Sequence, residues 1–323
     1  MKNTNWNLRT KEGKLRFASL VAQRKYPVAK IILQEWLKKN PHDREKKYKT
    51  SINDFYSRLW EIIDLAESGD LHLKYKNGRI LGMNIFSDGN DKLRFLNYST
   101  FPIVTCPGAG ACKSFCYSLN SLRYPGAFTR WLMNTILENE APELIADAFA
   151  YKLNTPTYQK ELKEKGFVTF RLYNDGDFPN LQTMGFWFKL LKGFPQVKAY
   201  GYSKSWGLFI RFVEEFGENA IPETYKLNLS SGANGMQELL RKKISSYNFV
   251  RGDFIAIPLP GNKKKNVTKI NKDEKKYIYK VAKESGHKKV MICGGLCNSC
   301  TRVGHACGSS TFDDYAIVIP IHG

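Results

Sequence analysis

Two aspartates and seven cysteines carry most of the chemistry this sequence could do. Asp175 and Asp177 stand in N-D-G-D-F-P (174–179), directly after an apolar, β-branched and aromatic run. Two carboxylates held close together can divide the roles of nucleophile and general acid/base at an anomeric carbon, provided their surroundings separate their pKa values. N-D-G-D is also ordinary turn chemistry, and Asp177 could cap a helix entered at Pro179.

The cysteines fall into two groups: Cys106, Cys112 and Cys116 in CPGAGACKSFCY, and Cys293, Cys297, Cys300 and Cys307 in CGGLCNSCTRVGHAC. Short spacing, with Gly, Asn and Ser between, lets thiolates turn onto one ion. A metal is expected at the second group, as a closed tetrahedral zinc site with His305 as a substitute ligand. The first group needs a fourth ligand from elsewhere. Cys293, Cys297 and Cys300 also have the C-x3-C-x2-C spacing of radical-SAM iron–sulfur enzymes, here late in the chain, and spacing alone does not separate the two metals.

These residues need a frame, and the pattern supplies one. The stretches 166–173, 197–207, 225–235, 249–261 and 288–300 are apolar strands that end in small, polar or cysteine residues. Helical periodicity lies between them at 181–192, 208–216, 236–244 and 273–285. Such alternation predicts parallel strands with right-handed crossovers, and in a barrel the strand C-terminal ends form the reactive face. Asn174, Tyr202, Ser203, Lys204, Ser230, Ser231 and Gly232 should gather there beside the aspartates: Tyr202 to stack on a base, Lys204 to hold a phosphate, and Gly232 to allow close backbone approach. The fold expected is α/β, a TIM-like (β/α) barrel over 91–323. Residues 1–90 form a basic N-terminal extension, with helices at 27–39 (Ile31 inward) and 51–67, and strands 71–75 and 79–85 about the Asn77-Gly78 turn. A strand over 93–98 follows. Pro142 interrupts a helical run at 128–149.

The chain has 323 residues, 42% of them hydrophobic, and a formal charge of +20. That charge exceeds what solubility requires, and a polyanion is its simplest partner. Residues 1–50 hold fourteen Lys or Arg against four acids, with Trp6, Phe17, Tyr26 and Trp36 interleaved; 263–289 holds eleven Lys against three acids. Cations with aromatics suit phosphate contact and base stacking, although a charge run is also a common solvated face. No apolar run approaches ~18 residues, so no membrane span is expected and the protein is read as soluble and intracellular.

Together CPGAGACKSFCY, NDGDF, YGYSKS and CGGLCNSC, set on parallel β/α units in a basic chain, resemble the tRNA-guanine transglycosylase superfamily, and within it the phage-encoded DpdA-type DNA-guanine transglycosylases. The resemblance covers roughly residues 90–323. It implies exchange of guanine in DNA for a 7-deazaguanine base such as preQ0, through an aspartyl intermediate, with one of Asp175 and Asp177 as nucleophile and the other as acid/base. The target nucleotide would be flipped from the duplex, and a phage product would act in the host cytoplasm. The superfamily's zinc motif is C-x-C-x2-C with a downstream His; this chain departs from it. Two other classes compete: an iron–sulfur enzyme acting on nucleic acid, and a non-enzymatic zinc protein that binds nucleic acid.

Overall fold

A computed structural model of the chain describes residues 6–41, 44–45, 50–89, 95–262, 267–297, 300 and 305–321. Leu93 and Arg94 of the expected strand, and Lys46, Lys47, Lys49 and Lys263 to Lys265 of the basic stretches, lie outside the described residues. The chain divides into two compact units, 1–86 with 99–105 and 118–156, and 87–98 with 106–117 and 157–323. The first unit thus takes in two segments beyond the extension read from sequence.

The first unit is helical: α1 (Lys11–Ala22), α2 (Tyr26–Lys39), α3 (Ile52–Ser68), α4 (Pro125–Glu140) and α5 (Pro142–Leu153). Local chemistry sets their ends. The side chains of Thr10 and Ser51 accept from the N–H groups of Gly13 and Asp54, and Gly69 closes α3 in the left-handed region at φ 82°. Pro142 has no N–H to continue a helix, so the run breaks into two. Phe17, Tyr56 and Phe128 meet in the core, with Phe128 6.2 Å from Phe17 and 5.5 Å from Tyr56. Ile31, expected inward, is exposed, because Ile32, Leu33 and Trp36 on the adjoining stripe of α2 take the core positions. Asn77 (φ 52°) and Gly78 (φ 74°) turn β1 (Tyr75–Lys76) into β2 (Arg79–Ile80), and Leu81-Gly82 turns β2 into β3 (Met83–Asn84). Leu71–Lys74 is a 3-10 turn rather than the expected strand: the Leu73 N–H closes back onto the Asp70 carbonyl at 3.0 Å.

The second unit is built on a seven-stranded sheet. Its strands are β4 (Leu96–Asn97), β5 (Val168–Leu172), β6 (Val197–Ser203), β7 (Tyr225–Ser230), β8 (Val250–Ile257), β9 (Lys289–Ile292) and β10 (Tyr315–Pro320). Every pair is parallel, in the spatial order β9-β10-β8-β7-β6-β5-β4. Helices α6 (Pro156–Lys165), α7 (Leu181–Lys192), α8 (Trp206–Phe216), the short α9 (Gly235–Leu239) and α10 (Arg241–Ile244), and α11 (Lys272–Glu284) connect them. This is the β/α alternation read from the sequence. On one face Phe170 packs on Trp187 of α7, 5.9 Å between centroids. Arg171, Tyr200, Tyr202 and Asn228 point to the opposite face, since side chains alternate along a strand.

The closed barrel is not what the described strands form. β10 inserts between β8 and β9 instead of continuing round, and the edge strands β4 and β9 share no backbone pairing among the described residues. The edges approach through side chains instead: Phe95 beside β4, Cys297 after β9, and Cys307 all pack on one cluster with Tyr200. Because β9 and β10 are parallel, residues 293–314 must run back from the C-terminal end of one to the N-terminal end of the other. Of the described residues there, Cys307 lies on the inner face, where its carbonyl accepts from the Asn228 amide at 2.9 Å.

Candidate active site at the strand C-terminal ends

Asp177 is the hub of this end of the sheet. It is 3% exposed. Its Oδ2 accepts from the Ser203 hydroxyl, the Lys204 N–H and the Ser205 hydroxyl, each at 3.0 Å, and its Oδ1 accepts from the Phe178 N–H at 2.8 Å. Burial raises its pKa above the usual carboxylate range, while the donors from Lys204, Ser203 and Phe178 pull the other way. Ser205 precedes α8 but makes no capping bond of its own. The carboxylate of Asp177 instead gathers the turn ahead of α8 through the Lys204 N–H and the Ser203 and Ser205 hydroxyls, while the Gly207 N–H of the first helical turn goes to Gln237 Oε1 at 2.7 Å. The alternative reading, a cap on the helix after Pro179, does not hold: Asn180 performs that task by accepting from the Thr183 N–H at 2.8 Å.

Asp175 is 8% exposed and differently held. Its Oδ2 accepts from the Asn174 amide at 2.9 Å. The Asn174 carbonyl accepts from the Tyr117 hydroxyl at 2.9 Å, and the Asn174 N–H donates to the Tyr98 carbonyl at 2.8 Å. Tyr117 is 42% exposed, and local desolvation of its hydroxyl raises the phenol, with Arg171 opposing and Asp175 reinforcing. The two aspartates thus occupy unlike environments within three residues.

The other expected residues come together at the same end of the sheet, though much of their hydrogen-bonding capacity is used internally. Lys204 Nζ donates to Ser230 Oγ at 2.7 Å. Ser203 Oγ, besides donating to Asp177, accepts from the Ser205 N–H at 2.9 Å. Ser231 Oγ accepts from the Ala256 N–H at 2.9 Å, tying β7 to β8. Gly232 (φ 81°) turns the chain so that its carbonyl accepts from the N–H groups of Gly110 and Cys112 at 3.0 and 3.2 Å. Tyr202 is set apart from them on the inner face, its ring 4.6 Å from both Phe254 and the Arg171 guanidinium.

The first cysteine group lies on the loop that covers these ends. Gly108 allows the closest approach: a Cβ there would stand 1.9 Å from the Lys204 carbonyl oxygen. Burial raises the Cys112 thiol, and Lys204 opposes this. The second group lies along the returning segment. Burial raises Cys293 and Cys297 and pushes Cys307 up to about 12. All seven cysteines are free thiols. Among the described residues no three of His, Cys, Asp and Glu converge to hold a metal ion. Cys293, Cys297, Cys300 and Cys307 nonetheless lie near enough together for neighbouring thiols to help raise Cys293, Cys297 and Cys307, and no chemistry is derived through a metal.

Three contributors were missed in the sequence. Ser205 is the third donor to Asp177. Arg171 is a charged residue inside the buried β5, and Arg251, 0% exposed, occupies the irregularity in β8. Arg251 donates to Asn228 Oδ1 at 2.5 Å and to the carbonyls of Phe312, Tyr315 and Asp253 at 2.9–3.0 Å. A lone arginine in an otherwise apolar strand was the available signal.

No helix among the described residues is long and apolar enough to cross a membrane. Neither the curated proteins nor the solved structures contain a match to the chain. The family model described as gene product 88 matches residues 73–306, a span that includes Asp175, Asp177, Lys204, Ser230 and six of the seven cysteines. The chain therefore belongs to the gene product 88 family, a phage-type gene product family.

Proposed function

We propose that this protein is a glycosyltransferase acting on DNA, exchanging guanine for a 7-deazaguanine base of the preQ0 type, with Asp175 as the nucleophile. The carboxylate of Asp175 attacks C1′ as the N-glycosidic bond breaks and guanine departs. The incoming base then displaces the carboxylate and restores a nucleoside, and the ring-nitrogen proton it gives up balances the one that the departing guanine takes up through solvent. Asp177 supports the reading as scaffold: its four accepted hydrogen bonds hold the Ser203–Ser205 turn, and with it Lys204, beside Ser230. The observation that carries the proposal is the placement of an aspartate pair in unlike environments at the C-terminal end of a central parallel strand, in a chain of net charge +20.

The test is incorporation of a labelled 7-deazaguanine, or of labelled guanine, into duplex DNA. Asp175→Ala should abolish exchange and leave DNA binding intact; exchange that survives this substitution overturns the assignment. The inward use of Asp177, Ser203, Ser205 and Ser231 favours a second reading, a protein that binds nucleic acid without catalysis. That reading predicts no exchange with any base and unchanged DNA affinity in Asp175→Ala. The spacing Cys293, Cys297, Cys300, Cys307 supports a zinc form of the enzyme, or an iron–sulfur enzyme in its place. Elemental analysis with an absorbance spectrum on protein purified without oxygen decides among zinc, iron with sulfide, and neither.

A further inference from the structure

Among the described residues, the inner face of the sheet holds three buried polar atoms without a well-aligned hydrogen-bond partner, Arg171 Nε, Tyr200 Oη and His305 Nε2, although the Arg171 guanidinium stands near enough to the Tyr200 hydroxyl to act on it. They belong to residues that adjoin. The rings of Tyr200 and His305 are 4.5 Å apart, and the Arg171 guanidinium lies on the Tyr202 ring, itself 5.8 Å from Tyr200. Tyr200 is 1% exposed. The His305 Nδ1 accepts from the Gly308 N–H at 3.2 Å, so the neutral ring carries its proton on Nε2. All three orphan atoms are then donors. Buried donors are almost always matched by an acceptor. Among the described residues Arg171 makes no ion pair with a carboxylate, and the Tyr117 hydroxyl lies 3.5 Å from its Nη2. Arg171 as a whole is half-buried, but its Nε is shut off from solvent, where an unmatched charged donor is costly.

We infer that Arg171, Tyr200 and His305 form a binding site for a small oxyanion, a phosphate or carboxylate, on the inner face of the sheet. The ligand supplies at once the missing acceptors and the missing negative charge. Water would satisfy the donors without answering the charge. The rings of Phe95 and Tyr202 adjoin the same cluster and limit the ligand to a small one. The inference is independent of base exchange, since it uses neither aspartate.

The test uses the full chain, treated with chelator and labelled with 15N-histidine. The chain has five histidines, and His305→Gln identifies the resonance of interest. Inorganic phosphate and acetate are titrated separately against chloride at constant ionic strength. The expected result is a saturable shift of the His305 signal with one equivalent of phosphate or acetate, the other four histidines not following it. Tyr200→Phe removes one donor without removing the ring and should weaken binding about tenfold, the effect of one hydrogen bond; Arg171→Met should abolish it. The conservative Tyr200→Phe keeps the test valid if Arg171→Met does not fold. A shift that fails to saturate, or that is unchanged in Tyr200→Phe, overturns the inference. So does a shift produced by a short oligonucleotide and by neither small anion, which would assign the signal to the general basic surface.

Discussion

Asp177→Ala removes the acceptor of four hydrogen bonds from the floor of the candidate site. The hydroxyls of Ser203 and Ser205 can turn to other acceptors; the backbone N–H groups of Phe178 and Lys204 cannot. Each buried donor left unmatched costs about 1–3 kcal/mol, so the two fixed donors alone set a range of about 2–6 kcal/mol. Removing a carboxylate that burial disfavours offsets part of this, and a net loss of about 3 kcal/mol is expected. Asp177→Asn keeps one oxygen for three of the donors and sets its amide against the Phe178 N–H, so its loss should be smaller, about 1–2 kcal/mol. Urea unfolding at pH 7 followed by the fluorescence of the buried Trp187 and Trp206 reads this directly. At an m value of about 2–3 kcal/mol per molar, the alanine midpoint should fall by about 1 M, with asparagine between it and the wild type. The pH dependence has a definite sign. The folded pKa is raised, so the stability linked to protonation of Asp177 is fully present below the unfolded carboxylate pKa and is lost as pH rises through the folded value. In Asp177→Asn that slope should be missing. An alanine midpoint equal to the wild type, with base exchange lost, would refute the scaffold assignment and make Asp177 a chemical participant.

Three further outcomes are expected. Gly108→Ala sets a Cβ against the Lys204 carbonyl, and both neighbours are backbone that cannot swing away. The loop should lift, and amide exchange at Gly110 and Cys112, bonded to the Gly232 carbonyl, should quicken about tenfold or more; unchanged protection would disprove the clash. Arg251→Met strands Asn228 Oδ1 and three carbonyls at a fully buried position, and should cost about 3–5 kcal/mol in the same urea assay. Affinity for duplex DNA should fall linearly with the logarithm of salt, with a slope of about −5 for six phosphate contacts; a flat dependence would return the basic stretches to the role of a solvated surface.

The alternation of strand and helix was legible because each element advertised its own period: Leu181–Lys192 was read to the residue, and Val197–Ser203 and Tyr225–Ser230 fell within the stretches read. Local stops were equally plain, as at Ser51, Gly69, Asn77-Gly78 and Pro142. Sheet order was not legible, because a parallel strand carries no mark of its neighbours. Nothing in the apolar run of β10 says that it inserts between β8 and β9, or that β4 and β9 are left as edges among the described residues. The site was legible as a neighbourhood and not as roles. N-D-G-D marked the right turn, but which aspartate holds the frame depends on Ser203, Lys204 and Ser205, some twenty-six to twenty-eight residues away. Arg171 and Arg251 broke the apolar pattern of their strands, and those breaks were the unread signal.

The division between the aspartates follows from geometry that only the folded chain supplies. A nucleophile has to present an oxygen to a ligand, and every accepted hydrogen bond lowers its freedom to do so. Asp177 Oδ2 accepts three bonds from the Ser203–Ser205 turn, so attack through it would unmake the turn that positions Lys204. Asp175 is tied to the Asn174 amide, whose backbone is fixed on both sides by Tyr98 and Tyr117. That arrangement orients the carboxylate on the turn that follows β5. A site of this kind needs one group to act and others to hold it still. The pair therefore predicts opposite signatures: Asp175→Ala should lose chemistry at nearly unchanged stability, and Asp177→Ala should lose stability first. Equal behaviour of the two substitutions in both assays would remove the distinction.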